Sequence, residues 1–194
     1  DTKELKINAF LNLYKIQDLN IQKKVRQYHV ENLGVSRFEK FKYFEESLLN
    51  KKYNDEKGFQ LSLRFEKYIM ENVSKTPLVK GIRKFLNKFQ KIYSFYVASA
   101  APNDEITKIL KNKSLLPYFK EIFGHPTLKS NSIKNIILKE KISGDKACVI
   151  GDTMSDYNAA KDNKTLFIGI SNTISTFPTG TNVYSDFYPV NKLF

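Results

Sequence analysis

Ala147-Cys148-Val149-Ile150-Gly151-Asp152-Thr153-Met154-Ser155-Asp156 reads as a short strand, a tight turn and the first turn of a helix. The apolar run Ala147–Ile150 lacks the alternation of a half-solvated strand, as expected where helices cover both faces of a parallel sheet. Gly151 suits the turn, Asp152 sits at the strand tip, and Asp156 falls in the first helical turn. Ligands of open α/β sheets bind at the carboxyl ends of the strands, and hard carboxylate oxygens there suit Mg²⁺. The competing reading is that Asp152 or Ser155 only caps the helix.

The same alternation extends on both sides of this stretch. Upstream, Ile82, Phe85, Leu86 and Phe89 predict a helix over 81–90, followed by a buried strand Tyr93–Ala98. A helix over 103–112 capped by Asn103, a short strand near Ile122-Phe123 and a helix over 130–141 come next. Downstream lie a helix over 154–162, a strand over 165–169, and a loop-rich stretch from Ser171 to Phe194 with an edge strand near 183–187. Strand and helix in this order predict an open parallel α/β sheet. Ser99 directly follows its strand, so its hydroxyl and the amides of the Ala100 turn could cradle a phosphate. Lys129 closes the loop Gly124-His125-Pro126-Thr127-Leu128-Lys129-Ser130, where its ammonium could offset phosphate charge.

Residues 3–73 differ: they read as consecutive helices with no strand pattern. Leu5, Ala9, Leu13 and Ile16 recur at helical spacing. A second helix runs from about Ile21 to Asn32 before Gly34. Ser36 starts a third with Glu39 as capping-box partner, carrying Phe38, Phe41, Phe44, Leu48 and Leu49. A fourth begins near Asn54 or Asp55 and holds Phe59, Leu63, Tyr68 and Met70. The pattern changes at Ser74-Lys75-Thr76-Pro77, so the expected domains are 1–75, all helical, and 76–194, α/β. Arg37 and Lys40, one turn apart on a helix start, are either substrate contacts, with His29 and Asn32 near them, or surface charges outside Phe38 and Phe41.

The chain has 194 residues, 32 Lys plus Arg against 20 Asp plus Glu, and a net charge of +12. The surplus concentrates between residues 76 and 141, where Lys80, Arg83, Lys84, Lys88 and Lys91 are spaced along a helix rather than run together. Lysines far outnumber arginines, whereas bidentate phosphate and base recognition favours Arg. A solvated Lys-rich surface is therefore expected, with nucleic-acid binding the lesser alternative. A single cysteine excludes an intramolecular disulfide framework. No apolar run approaches the ~18 residues of a membrane span, and no secretory signal is visible. A soluble, cytoplasmic protein is expected.

Taken together, strand-Ser99, Lys129 and Gly151-Asp152 through Asp156 resemble, in order and position, the second, third and fourth motifs of the haloacid dehalogenase-like superfamily. That resemblance implies a Rossmann-like parallel core (76–194) with a helical cap (1–75). It also implies a Mg²⁺-dependent phosphatase of small phosphorylated metabolites, phosphoglycolate or a sugar phosphate, working through an aspartyl-phosphate. Ser99, Lys129, Asp152 and Asp156 are the implied catalytic residues, with Asp152 and Asp156 at the metal. Ser99, Ala100, Lys129, Arg37 and Lys40 are the implied substrate contacts. The segment His29–Phe41 further resembles a phosphoglycolate phosphatase-like subgroup. A monomer or homodimer is expected, with no nucleic acid or membrane partner.

The family's first motif, a strand followed by DxDx[TV] that supplies the attacking carboxylate, has no match in these residues, although Asp1-Thr2 fits its continuation. The expectation is a core lacking its first strand and nucleophile, able to bind but not to turn over. The alternative is a homologue that has lost catalysis and serves as a binding module. Phosphomutase and dehalogenase chemistry also fit Ser99 and Lys129.

Overall fold

The computed structural model describes residues 2–172 and 176–194. Asp1, and with it the reading of Asp1-Thr2, and the Thr173–Ser175 part of the loop-rich stretch lie outside the described residues. The chain divides into two compact units, Asp1–Pro77 and Leu78–Phe194.

The first unit is all helical: α1 (Lys3–Leu13), α2 (Leu19–Glu31), α3 (Arg37–Tyr43), a π-helical turn (Phe44–Leu48) and α4 (Asp55–Asn72). Side-chain oxygens start three of the helices. Asp18 accepts from the Ile21 amide, Ser36 from Phe38 and Asn54 from Lys57, each satisfying an otherwise orphaned helix donor. Ser36 is the expected cap, but its bond runs to Phe38 rather than to Glu39. The core is aromatic. Phe10 packs on Phe41, Phe44 and Phe65 with centroids 5.8, 5.6 and 4.6 Å apart.

One expectation about this core is corrected, and the buried face of α4 is defined. Leu5, Ala9 and Leu13 are buried, but Ile16 lies beyond the end of α1 and is 84% exposed. On α4 the buried stripe is Leu61, Phe65 and Ile69, whereas Phe59 and Leu63 face solvent. Both stripes have helical spacing, and contact of α4 with α1 and α3 selects the first.

The second unit alternates as anticipated through α5 (Ile82–Phe89), β1 (Phe95–Pro102), α6 (Asn103–Asn112), β2 (Phe119–His125), α7 (Lys129–Glu140), β3 (Cys148–Gly151), α8 (Met154–Asp162) and β4 (Leu166–Ile170). In the stretch read as loop with an edge strand near 183–187, the strand β5 is only Val183–Tyr184 and a short helix, α9 (Phe187–Val190), follows it. Asn103 does not cap α6. Pro102 holds that position and Asn103 is the first helical residue. Every strand pairing is parallel, but the sheet is split. β1 pairs with β2, and β3 pairs with β4, which pairs with β5.

The two halves share one core. Phe85, Leu86, Phe89, Leu115, Ile168, Phe187 and Val190 are buried together, with Phe95 and Phe119 from one half and Cys148, Ile150 and Tyr184 from the other packed against them. The covering helices are continuous as well. α7 lies on β1 and β2, α8 on β3 and β4, and the two helices touch. Yet β1 is only half-buried over most of its length and β3 over all of it. A strand covered on both faces is ordinarily buried. Among the described residues each leaves one edge unpaired, and that open edge accounts for the residual exposure.

Candidate active site

The loop between β3 and α8 is built around Asp156. Thr153 is the N-cap of α8, and its hydroxyl donates to Asp156 Oδ2 at 2.6 Å while its amide donates to the same oxygen at 3.1 Å. The Asp156 amide donates back to Thr153 Oγ1 at 3.4 Å, completing a capping box. Asp156 Oδ1 is taken by Lys129 Nζ at 2.7 Å, with both side chains only 12% exposed. Lys129 is the first residue of α7, so this ion pair ties the start of α7 to the start of α8.

Gly151 makes the arrangement possible in a way the sequence reading did not anticipate. A Cβ on it would lie 2.5 Å from Asp156 Cγ and 2.9 Å from Oδ2. It is needed for close approach of Asp156 to the strand end, and its φ is not left-handed. Asp152, between them, is exposed and makes no hydrogen bond or ion pair among the described residues. Neither Asp152 nor Ser155 caps α8.

Ser99 lies within β1, three residues before its end, rather than after it. The regular ladder nevertheless stops where expected. Tyr96, Val97 and Ala98 pair with Glu121, Ile122 and Phe123, and the register then breaks until Pro102 meets His125. Ser99, Ala100 and Ala101 occupy that break, and Ser99 Oγ accepts from the Ala101 amide at 3.2 Å. The irregularity locally disrupts the ladder around Ser99, as a bulge does. Thus Lys129 and Asp156 are in direct contact, while Ser99 and Asp152 reach the same carboxyl edge of the strands through the topology.

A hard cation can be held by one or two carboxylates together with water and substrate phosphate. Asp152 fits that role as a free, solvent-facing carboxylate. Both oxygens of Asp156 are already engaged, which suits it to supporting Lys129. No group of three or more His, Cys, Asp or Glu is gathered among the described residues.

The helical unit holds Arg37 and Lys40, and neither is a surface charge: they are 6% and 2% exposed. Lys40 Nζ lies 2.9 Å from His29 Nδ1, itself 2% exposed, and 5.7 Å from the Phe10 ring centroid. The Arg37 guanidinium lies 4.4 Å over Phe65. Burial, reinforced by Lys6 and opposed by Glu39, holds the Lys40 ammonium down to about 7. Burial, then Lys40, Lys6 and Lys3, pushes His29 down to about 3. Nothing in the sequence pattern marked these polar side chains as interior. Thr153 was also overlooked as a site residue, although a Thr three residues before an acidic one at a helix start is a capping signature.

Comparison with known proteins follows the same lines. The family model described as haloacid dehalogenase-like hydrolase matches residues 1–170. A predicted phosphoglycolate phosphatase from Haemophilus somnus superposes with a TM-score of 0.76 at 14% identity, covering 99% of this chain and 91% of that one. A β-phosphoglucomutase from Clostridium difficile gives 0.76 at 16% identity, covering 100% and 87%. A HAD-hydrolase from Bacillus subtilis bound to magnesium gives 0.73 at 15%, covering 100% and 92%. No curated relative matches by sequence. Among the described residues no helix is long and apolar enough to cross a membrane. With Ser99, Lys129 and the Gly151–Asp156 loop all at the carboxyl edge of a Rossmann-like parallel core, and a helical unit like the family's cap, the chain belongs to the haloacid dehalogenase-like hydrolases.

Proposed function

We propose that this chain is the phosphate-binding body of a Mg²⁺-dependent phosphatase of small phosphorylated metabolites, phosphoglycolate or a sugar phosphate. The observation that carries this reading is the Lys129–Asp156 pair, held between two helix starts at the carboxyl edge of the strands. The Lys129 ammonium, the Ser99 hydroxyl and the amides near Ala100 would take the equatorial oxygens of a phosphoryl group, so catalysis is mainly positioning and electrostatics. Asp152 would hold Mg²⁺, which supplies charge neutralisation between an anionic attacker and the phosphate. Asp156 supports the site by fixing Lys129. Lys40 is committed to His29 and Arg37 is buried over Phe65 inside the helical unit, so the substrate contacts proposed are Ser99, Ala100 and Lys129. A cytoplasmic setting and a monomer or homodimer belong to the same proposal.

The attacking carboxylate of the aspartyl-phosphate route is not among these residues. A strand between the unpaired edges of β1 and β3 would bring a DxDx[TV] sequence to the same carboxyl edge as Asp152 and Lys129. The chain alone would then bind phosphate esters without hydrolysing them. The test compares this chain with a version joined to an apolar strand ending in DxDx[TV], on a panel of phosphate monoesters with and without Mg²⁺. Mg²⁺-dependent hydrolysis only in the joined version, lost on Asp152→Asn, is expected. A folded joined version that binds but never hydrolyses would establish the alternative, a non-catalytic binding module.

A further inference from the structure

We propose that Thr153 is a positioning residue for Lys129, acting through Asp156; this rests on the reading of Lys129 as a phosphate ligand.

The Thr153 hydroxyl is 2.6 Å from Asp156 Oδ2, and Asp156 Oδ1 is 2.7 Å from Lys129 Nζ. Thr153 is 7% exposed and Asp156 9%, so water competes poorly for either. A carboxylate swivels about its terminal bond unless both oxygens are engaged. Here one oxygen receives two donors from Thr153, side chain and amide, and the other is left for the ammonium. The lysine needs such a guide. It stands at the first position of α7, where neither Leu128 nor any other side chain caps the helix, on a flexible four-carbon stem.

The identity of the cap carries the same message. Asp and Asn are at least as good as Thr at an N-cap, but an aspartate there has no hydrogen to give a facing carboxylate and would repel it. A hydroxyl both accepts from the Asp156 amide and donates to the Asp156 side chain. Only Ser shares that pair of roles without bringing a charge or an amide.

The variants Thr153→Ser, Thr153→Val and Thr153→Asp separate capping from positioning in the full chain. Two readouts are used: affinity for inorganic phosphate by calorimetry, and the ¹³Cε resonance of Lys129 in lysine-labelled protein, assigned with Lys129→Met. Thr153→Ser should match wild type within about twofold and keep the Lys129 resonance resolved. Thr153→Asp should stay folded with its helix start capped, melting lower because the new carboxylate faces Asp156. It should nevertheless bind phosphate at least tenfold more weakly and shift Lys129 toward the resonance of exposed lysines. Thr153→Val should lose both affinity and cap. Wild-type affinity and an unmoved Lys129 resonance in Thr153→Asp or in folded Thr153→Val would overturn the proposal. Undiminished phosphate binding by Lys129→Met would instead sink the phosphate-site reading, and the Lys129 resonance would still decide the role of Thr153.

Discussion

Gly151→Ala is the sharpest test of how the β3–α8 loop is built. The added methyl would meet the Asp156 side chain, with Cγ at 2.5 Å and Oδ2 at 2.9 Å, and the Asp156 Cβ closer still. Neither partner can yield freely: Gly151 is paired in β3 with Gly169, and Asp156 is held by Thr153 and Lys129. Overpacking of this kind costs about 1–3 kcal/mol. Displacing Asp156 also weakens the capping box, worth about 1 kcal/mol. It loosens a largely buried ion pair as well, whose outright loss would cost about 3–5 kcal/mol. Against this, the reduced freedom of the unfolded chain returns roughly 0.4–1 kcal/mol. A net loss of about 3–4 kcal/mol follows, and a unit of this size should melt roughly 10–15 °C lower. Differential scanning calorimetry reads that shift. The cause is isolated by repeating the substitution in an Asp156→Gly background, where the methyl meets no side chain and should cost less than about 1 kcal/mol. A melting temperature within about 2 °C of wild type, or an equal loss in the Asp156→Gly background, would refute the close-approach argument.

Other expectations are independent of that loop's packing. Asp152→Asn should leave the melting temperature unchanged, since Asp152 is exposed and unpartnered, and should weaken Mg²⁺ binding at least tenfold by calorimetric titration. Lys40 carries a pH signature: its folded value of about 7 lies below the ordinary 10.5, so between these the unfolded chain holds the proton more tightly. Stability should therefore fall as pH drops from about 10 to 7, by on the order of 4 kcal/mol, and flatten below. Urea unfolding of Lys40→Met should lose that slope. The His29 value of about 3, below the ordinary 6.5, should add a second decline as pH falls from about 6.5 toward 3, absent in His29→Phe. Arg83 donates to the carbonyls of Lys113 and Ser114 at 2.8 and 3.3 Å. Because that contact is exposed, Arg83→Ala should cost only about 1 kcal/mol in the same assay.

The legible and illegible parts of this chain divide on physical grounds. Where an apolar strand abuts a turn and a capped helix, local chemistry decides, and α8 begins and ends at Met154 and Asp162 as its sequence suggests. The same holds for α6 at Asn103–Asn112, although the capping residue there is Pro102. Where two apolar stripes share one helix, only a tertiary partner can choose. That is why α4 turned Leu61, Phe65 and Ile69 inward instead of Phe59 and Leu63. Buried polar groups were the least visible. Lys40 and His29 satisfy each other across two helices, and no spacing rule announces such a pair. In the site, Lys129 and Asp156 were readable as types in the right order. Their mutual contact, and the engagement of both Asp156 oxygens, emerges only from the meeting of α7 and α8.

The split sheet also bears on how this chain behaves in concentrated solution. The edges of β1 and β3 that pair with no other strand among the described residues are a template on which another molecule's strand can grow. Natural sheets guard such edges with charge, and here the +12 carried by the chain provides mutual repulsion between molecules. That protection reaches only about 10 Å at 0.1 M salt and shortens as salt is added. Solubility should accordingly depend on ionic strength, with self-association setting in as screening lets the open edges meet.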